Sequence, residues 1–310
     1  MEYRELGKTG MKVSNLSFGA SSLGSVFHET KELESIKAVH TAVEHGINFI
    51  DVSPYYGYLK AETVLGKALK DIDRSKFYIS TKVGRYGKDG KNHWDYSAKR
   101  STESVYESLE RLNVDHLDII NVHDVEFSDL DQVCNETLPA LVELRNKGIV
   151  KNVGITNLTL KHFKYVIDHV PASTVDTVLS FCHYCLNDNA LEDYLDYFES
   201  KNIGVINAAP FSMGLLTRRG APDWHPAPKP LQELCRKAVE YCDAQGKSIE
   251  QLAIKYSTNN PRIASTLFSS SRPEAVLQNI KWASEPFDEE LFKTVRTILE
   301  SRLNDTWLNS

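Results

Sequence analysis

The sequence predicts an α/β protein whose eight strand–helix units close into a (β/α)8 TIM barrel, with an N-terminal β-hairpin and an extra C-terminal helix. Three observations carry this expectation. Short β-rich runs are followed by longer helical patterns eight times along the 310 residues. The runs are mostly apolar on both faces, as strands of a helix-covered parallel sheet must be. The turn after the first run, "FGASSLGS", carries glycines but no G-x-G-x-x-G, so it lacks the phosphate loop usual in an open, doubly wound sheet. No long linker, internal repeat or low-complexity segment divides the chain, and residues 1–310 read as one barrel domain.

The elements follow in order. "YRELGKTGMKVSNL" reads as a hairpin turning at "KTG", placed to plug one end of the barrel. "LSFGA" (16–20) leads to a helix expected over about 32–45, and "INFI" (47–50) to one over 61–69. "FYIST" (77–81) precedes a helix over 97–112, where Val105, Leu109 and Leu112 share a face and Glu103, Glu107 and Arg111 point outward. "HLDIINV" leads to 130–146, closed by Gly148. "VKNVGIT" leads to "LTLKHFKYVIDHV", with Thr159 as the expected N-cap. "VDTVLS" precedes a helix over 191–199, and "IGVINAA" one over 230–242 after a Pro- and Trp-containing insertion. "IASTLFS" is the last strand, followed by a helix over 273–284, and "EPFDEELFKTVRTILESRLN" is the extra helix.

Composition narrows the function classes. A net charge of −6 with scattered lysines offers no basic stripe, so no nucleic-acid partner is expected. The N-terminus lacks the apolar core of a signal peptide, and no apolar run approaches the roughly 20 residues that span a bilayer. Five thinly spread cysteines fit a reducing compartment, so the expectation is a cytoplasmic, monomeric protein without a membrane partner. Cys182 and Cys185 form a C-x-x-C, but after an apolar strand rather than at a helix start, and they read as ordinary thiols.

Reactive side chains of such a barrel lie at the C-terminal ends of its strands. Just past the runs come Asp51, Lys82, then His123 with Asp124, Thr156 with Asn157, Ser180, and finally Ser269, Ser270 and Ser271. The opposite ends read Lys76, Asp115 and Lys151, which are plain solvent contacts. Each residue alone has an ordinary structural role: a strand-end Asp often caps a helix, and a His beside an apolar run is often a hydrogen-bonded core residue. The combination is less ordinary. Three successive strands present Asp, Lys and His to one mouth, and Tyr56 follows Asp51 by five residues. A buried lysine needs a carboxylate, which Asp51 supplies. Lys82 in turn favours the ionised form of a nearby phenol. Tyr56 is then the expected general acid–base, and His123 the group that aligns the reacting oxygen.

"GINFIDVSPYYG", "STK", "LNVDHLDIINVHD" and "VKNVGITN" resemble the aldo-keto reductases over nearly the whole chain. The resemblance implies a barrel enzyme that uses a nicotinamide cofactor without a Rossmann domain. It places Asp51, Tyr56, Lys82 and His123 as the catalytic set, with Tyr56 chosen over Tyr55 because it directly precedes Gly57. It also implies that Asn157 holds the nicotinamide carboxamide, with Thr156 where serine is usual. A narrower resemblance, carried by "FGASSLGSVF", "ISTKVGRY", "HDVEFSDLDQV", "SFCHYCLND", "PFSMGLLT" and "PDWHPA", is to the L-galactose dehydrogenases of plants and their animal relatives. Those enzymes oxidise C1 of L-galactose to the 1,4-lactone with NAD, which implies a small-molecule aldose as substrate here. An NADPH-dependent aldehyde or carbonyl reductase is the alternative, and a non-catalytic barrel sensing its cofactor is a more distant one.

The sequence departs from the superfamily pattern in three places. Ser180 and Phe181 stand in place of an Asn-Gln pair, and Ala208 in place of the aromatic that stacks on nicotinamide, with Phe211 or Tyr184 as compensating candidates. In "FSSSRPEAVLQN", Ser269 and Ala275 occupy the two positions where NADP-users carry cations for the 2′-phosphate. Ser270, Gln278 and Asn279 remain for the adenosine, and Arg272 lies within reach of a phosphate. Ser271 is the expected cap of the following helix, whose N-terminus suits pyrophosphate or ribose oxygens. The loop therefore favours NAD over NADP. The pocket rim is expected from Phe27, Tyr55, Trp94, Phe127, His183 and Trp224. Trp94, His183 and His225 lie in distant loops without ligand spacing, so no metal is expected.

Overall fold

The computed structural model describes residues 1–26, 28–87 and 94–307. Strands β1 (Tyr3–Glu5) and β2 (Lys12–Ser14) pair antiparallel, Tyr3 opposite Ser14, around a 3-10 turn over Gly7–Thr9 and Gly10 at φ 73°. The remaining strands are β3 (Leu16–Gly19), β4 (Phe49–Asp51), β5 (Tyr78–Val83), β6 (Leu117–Val122), β7 (Val150–Asn157), β8 (Thr177–Phe181), β9 (Gly204–Ala208) and β10 (Ser265–Ser269). All eight are parallel and close in the order β10-β3-β4-β5-β6-β7-β8-β9.

The hairpin seals the N-terminal end of the barrel. Leu6, Met11 and Val13 form an apolar cluster with Phe49, Ile119, Leu179, Ile206, Ala264 and Leu267, separate from the larger core between strands and helices. Leu6 packs so closely that a Cβ on Gly204 would come within 2.7 Å of Leu6 Cδ1. Arg4 clasps the hairpin to the wall, donating to the carbonyls of Thr258, Asn260 and Ile263 at 2.7–2.8 Å.

The helices are α1 (Glu32–Glu44), α2 (Lys60–Leu69), α3 (Ala98–Leu112), α4 (Leu130–Gln132), α5 (Leu138–Asn146), α6 (Leu160–Asp168), α7 (Glu192–Ser200), α8 (Lys229–Ala244), α9 (Ile249–Asn259), α10 (Pro273–Ser284) and α11 (Glu289–Leu299). Where one helix was expected over 130–146, a π-turn (Val133–Thr137) joins α4 to α5. Pro139 at the second position of α5 has no N–H to give back to the preceding turn, which fits a change of hydrogen-bond register there. Thr159 does occupy the N-cap of α6, but its side chain makes no capping bond. Nor does Ser271 cap α10, whose N-cap is Arg272.

Helix α9 was not expected. The β9–β10 connection holds two helices: α9 packs beside α10 in the outer ring, and α8 packs on α11 as an added pair. Ser248 caps α9 through Gln251 N, and Ile249, Leu252, Ala253 and Tyr256 bury one face. Among the described residues no helix is long and apolar enough to cross a membrane.

Register decides what faces the barrel interior. On β5 side chains alternate, so Ser80 and Lys82 point one way and Ile79, Thr81 and Val83 the other. Thr81 donates outward to buried Glu62 of α2 at 2.6 Å, which Arg111 of α3 also binds at 2.7 Å. Asp51 lies beside Ser80 across the β4–β5 ladder, and Lys82 beside Asn121 across β5–β6.

Candidate active site

The alternation of β5 sends Lys82 into the upper barrel, where Asp51 ends β4. Lys82 Nζ donates to Asp51 Oδ2 at 2.5 Å and to the Val52 carbonyl at 2.7 Å. Asp51 Oδ1 accepts from Ser80 Oγ at 2.9 Å, and Ser80 Oγ accepts from Asn121 Nδ2 at 2.8 Å. Asp51 and Lys82 are only 3% and 2% exposed, so loss of either partner would strand a buried charge, a defect of about 3–5 kcal/mol. Burial pushes the Asp51 carboxyl up, against the pull of Lys82 and Ser80. Burial alone would push Lys82 down, yet the contact with Asp51 keeps its ammonium above the ordinary lysine value. The two groups are therefore locked together, with the ammonium favoured on Lys82.

Tyr56 follows on the β4–α2 loop. Its ring lies 4.9 Å from Lys82 Nζ and 5.9 Å from the His123 ring, perpendicular to it. Burial raises the Tyr56 phenol above its usual value; Lys82 opposes this, and Asp51 and Asp124 reinforce it. Lys82 thus favours the ionised form, as expected, but desolvation outweighs it and the resting phenol is protonated. Gly57, Tyr58 and Leu59 all have left-handed backbones, at φ 62°, 52° and 74°. The turn abuts Gly24 in the β3–α1 loop, where an added Cβ would lie 2.5 Å from the Tyr56 carbonyl oxygen.

His123 caps β6 and is 4% exposed. Ser53 Oγ accepts from Tyr55 N at 3.1 Å and lies 3.1 Å from His123 Nδ1. Nδ1 is thus engaged by Ser53, and Nε2 is the ring nitrogen left for a ligand. Burial, aided by the positive charges of Lys82 and Arg85, holds His123 well below its ordinary value, so the imidazole is neutral.

Of the expected rim, Tyr55, Trp94 and Phe127 come together. They surround Arg85, which no sequence pattern had singled out: its guanidinium carbon lies 3.5, 4.5 and 6.0 Å from the three ring centres. Phe27 lies outside the described residues. His183 does not reach the rim; it is buried, with Nδ1 3.0 Å from Asp188 Oδ2 and Nε2 2.5 Å from the Leu158 carbonyl, so both nitrogens are committed. Trp224 is 57% exposed and stacks on His225 away from this cluster. Tyr184 cannot stand in for the aromatic absent at Ala208: it stacks on Tyr256 of α9 at 4.9 Å and its hydroxyl donates to Glu192 of α7. Phe211, after β9, is half-buried and packs against the large core.

The residues expected to hold a dinucleotide are of two kinds. Some are already engaged. Thr156 Oγ1 accepts from Asp124 N at 3.0 Å. Asn157 accepts from Glu126 N at 3.2 Å and donates to the Thr159 carbonyl at 2.7 Å, leaving one N–H and one lone pair for a carboxamide. Ser269 Oγ accepts from Ser22 N and Ser21 Oγ and donates to Ser22 Oγ, at 2.8–3.0 Å. Ser270 Oγ accepts from Arg272 N at 3.1 Å. Others are open. Ser180 Oγ at the end of β8 and Asn279 Oδ1 on α10 are buried without a partner, which leaves them free to bond a ligand, although the Asn279 amide also donates to the Ala275 carbonyl. Arg272 is exposed at the start of α10, its side chain making no hydrogen bond or ion pair among the described residues, and Gln278 is half-buried on the same helix. These residues fit a dinucleotide laid across the mouth from β8 to α10.

The chain matches the aldo/keto reductase family model over residues 15–300. It is 46% identical over 313 residues to the L-galactose dehydrogenase of Arabidopsis thaliana, covering 99% of this chain and 97% of that one. It is 34% identical over 259 residues to the D-arabinose 1-dehydrogenase of Saccharomyces cerevisiae, covering 79% and 75%. Among solved structures, an aldo-keto reductase of Bacillus halodurans in its holo form superposes with a TM-score of 0.80 at 24% identity, covering 100% and 99% of the two chains.

Proposed function

The chain belongs to the aldo/keto reductase family, whose members are NAD(P)-dependent oxidoreductases, and from that premise we propose that it oxidises C1 of L-galactose or a related aldose to the lactone with NAD. The observation that carries the reading is the meeting of Tyr56, Lys82 and His123 at one mouth, with Asp51 locked beneath Lys82. Full-length similarity to a relative named for L-galactose, and similarity over 79% of this chain to a second named for D-arabinose, supports an aldose as the substrate.

Each residue has a task that its surroundings explain. His123 Nε2–H donates to the oxygen on C1 and fixes it beside Tyr56. The Tyr56 phenolate takes the proton from that oxygen as the C–H bond breaks, and Lys82 stabilises the phenolate while it exists. Asp51 keeps Lys82 charged and aimed. Thr156, Asn157, Ser180, Arg272, Gln278 and Asn279 would hold NAD, whose nicotinamide would accept the hydride. Because burial leaves the resting phenol protonated, the chain is poised as an acid for reduction, and oxidation must accelerate as the pH rises.

NAD is favoured over NADP by the loop after β10. The Ser269 hydroxyl is spent on Ser21 and Ser22, Ala275 carries no charge, and a 2′-phosphate would find Arg272 as its cation among the described residues. That same free guanidinium is what supports the second reading, an NADPH-dependent aldehyde or carbonyl reductase.

The test is the near-ultraviolet absorbance of NADH with L-galactose as substrate, run with NAD and NADP, on the wild type and on Tyr56→Phe. Turnover with NAD well above NADP, lost in the variant while NAD affinity stays, is the expected result. Consumption of NADPH on small aldehydes with no aldose oxidation would move the chain to the second reading. Undiminished turnover in Tyr56→Phe would overturn the catalytic assignment.

A further inference from the structure

We propose that Arg85 and Asp124 form the part of the pocket that reads a hydroxyl on the carbon next to the reacting one, so that the site takes α-hydroxy carbonyl compounds in preference to plain aldehydes. The proposal rests on His123 marking the reacting oxygen, and it deepens the aldose reading by naming the residues that select the substrate.

The geometry is local and specific. Asp124 Oδ2 lies 3.5 Å from His123 Nε2 and accepts from Arg85 Nη1 at 2.7 Å. Nε2 and that carboxylate oxygen are therefore near enough to bond two oxygens on adjacent carbon atoms, one each. Arg85 adds donors on the far side, and its Nε is buried without a partner. One arm of the pair accepts from a hydroxyl and the other donates to it, the complement of an alcohol's two capacities.

The carboxylate is also held in an unusual posture. Asp124 sits at φ 46°, left-handed for a non-glycine residue. Thr156 Oγ1 accepts its N–H at 3.0 Å, and the single Tyr96 hydroxyl proton is shared between the carbonyls of His123 at 2.8 Å and Asp124 at 3.0 Å. These ties hold a conformation that turns the side chain toward His123 and Arg85. On its other faces Arg85 stacks on Tyr55 and Trp94, and Trp94 stacks on Phe127 at 4.6 Å. Flat rings beside a fixed ion pair suit the apolar C–H face and polar edge of a polyol. A plain aldehyde would dehydrate the pair and give nothing back, which is how polar sites reject analogues lacking a hydroxyl.

The experiment pairs each substrate with its deoxy counterpart. Wild type, Arg85→Gln, Arg85→Lys and Asp124→Asn are assayed on an aldose against its 2-deoxy form in oxidation, and on glyceraldehyde against propanal in reduction. NADH affinity by fluorescence reports whether each variant is folded. The wild type should prefer the hydroxylated member by about 10- to 100-fold in kcat/KM. Arg85→Gln and Asp124→Asn should shrink that preference to within about 3-fold, with Arg85→Lys between. A wild type without preference in either pair, or folded variants that keep it, overturns the proposal. If aldoses are not oxidised but the glyceraldehyde preference is present and falls in the variants, the aldose reading fails and the role of Arg85 and Asp124 stands.

Discussion

Gly24 and Gly57 lie backbone against backbone across the mouth of the barrel. A Cβ on Gly57 would overlap the Gly24 carbonyl, and one on Gly24 would lie 2.5 Å from the Tyr56 carbonyl oxygen. The contact seats the turn that carries Tyr56, so the position of the phenol depends on a residue that bears no reactive group. Gly24→Ala should lower kcat by about 10- to 100-fold, the usual result of displacing a reacting group by about 1 Å. Affinity for NAD, measured by fluorescence titration, should change far less. An unchanged kcat would show that the turn is seated by other contacts.

Ser80 joins two side chains that have no substitute partner for what it supplies. Ser80→Ala would leave Asp51 Oδ1 without its donor and Asn121 Nδ2 without its acceptor, both buried. Destabilisation of about 1–3 kcal/mol is expected. Denaturant titration of the variant measures it, and Ser80→Thr, which restores the hydroxyl, should recover part of the loss.

Glu126 should make the protein lose stability as the pH rises from about 4.5 to about 8. Burial and neighbouring Asp124 push its carboxyl up to about 8, against 4.5 for an ordinary glutamate, and its Oε2 is buried without a partner. Between those values the folded chain holds a proton that the unfolded chain has released. Its contribution is therefore full below the ordinary value and is lost as the pH climbs through about 8. Glu126→Gln should melt about 2–4 °C above the wild type at high pH, with the gap closing in acid. Thermal scans across that range decide it.

His123 carries the opposite sign. It stays neutral where an unfolded histidine binds a proton near 6.5, because burial, Lys82 and Arg85 all oppose the charge. Its contribution is present above that value and is lost as the pH falls toward the folded one. His123→Asn should flatten the decline in Tm between neutral and mildly acidic pH. In the wild type, kcat/KM should show no titration near 6.5.

Much of the barrel was legible because strand runs and helical periods leave direct marks on a sequence. Asp51, Lys82 and His123 could be found by asking what stands at successive strand ends, since barrel geometry sends those positions to one mouth. Helix α9 left a readable mark too, Ser248 followed by apolar residues at helical spacing, but one helix alone was expected between these two strands. Ser53, Ser80 and Asn121 were less accessible, because their partners are set by register between strands distant in sequence. Arg85 acquires its setting from three separate loops. His183 was misplaced because its neighbours, Asp188 and the Leu158 carbonyl, depend on a turn that begins with Cys182 at φ 64°.

The hairpin at the barrel floor has a kinetic consequence. With Leu6, Met11 and Val13 filling the lower end, entry among the described residues is from the opposite mouth, and whatever enters first lies beneath whatever enters second. If the dinucleotide lies deeper, it must load before the sugar and depart after the product. Initial-rate patterns should then be sequential and ordered, with product inhibition competitive only between the two forms of the dinucleotide.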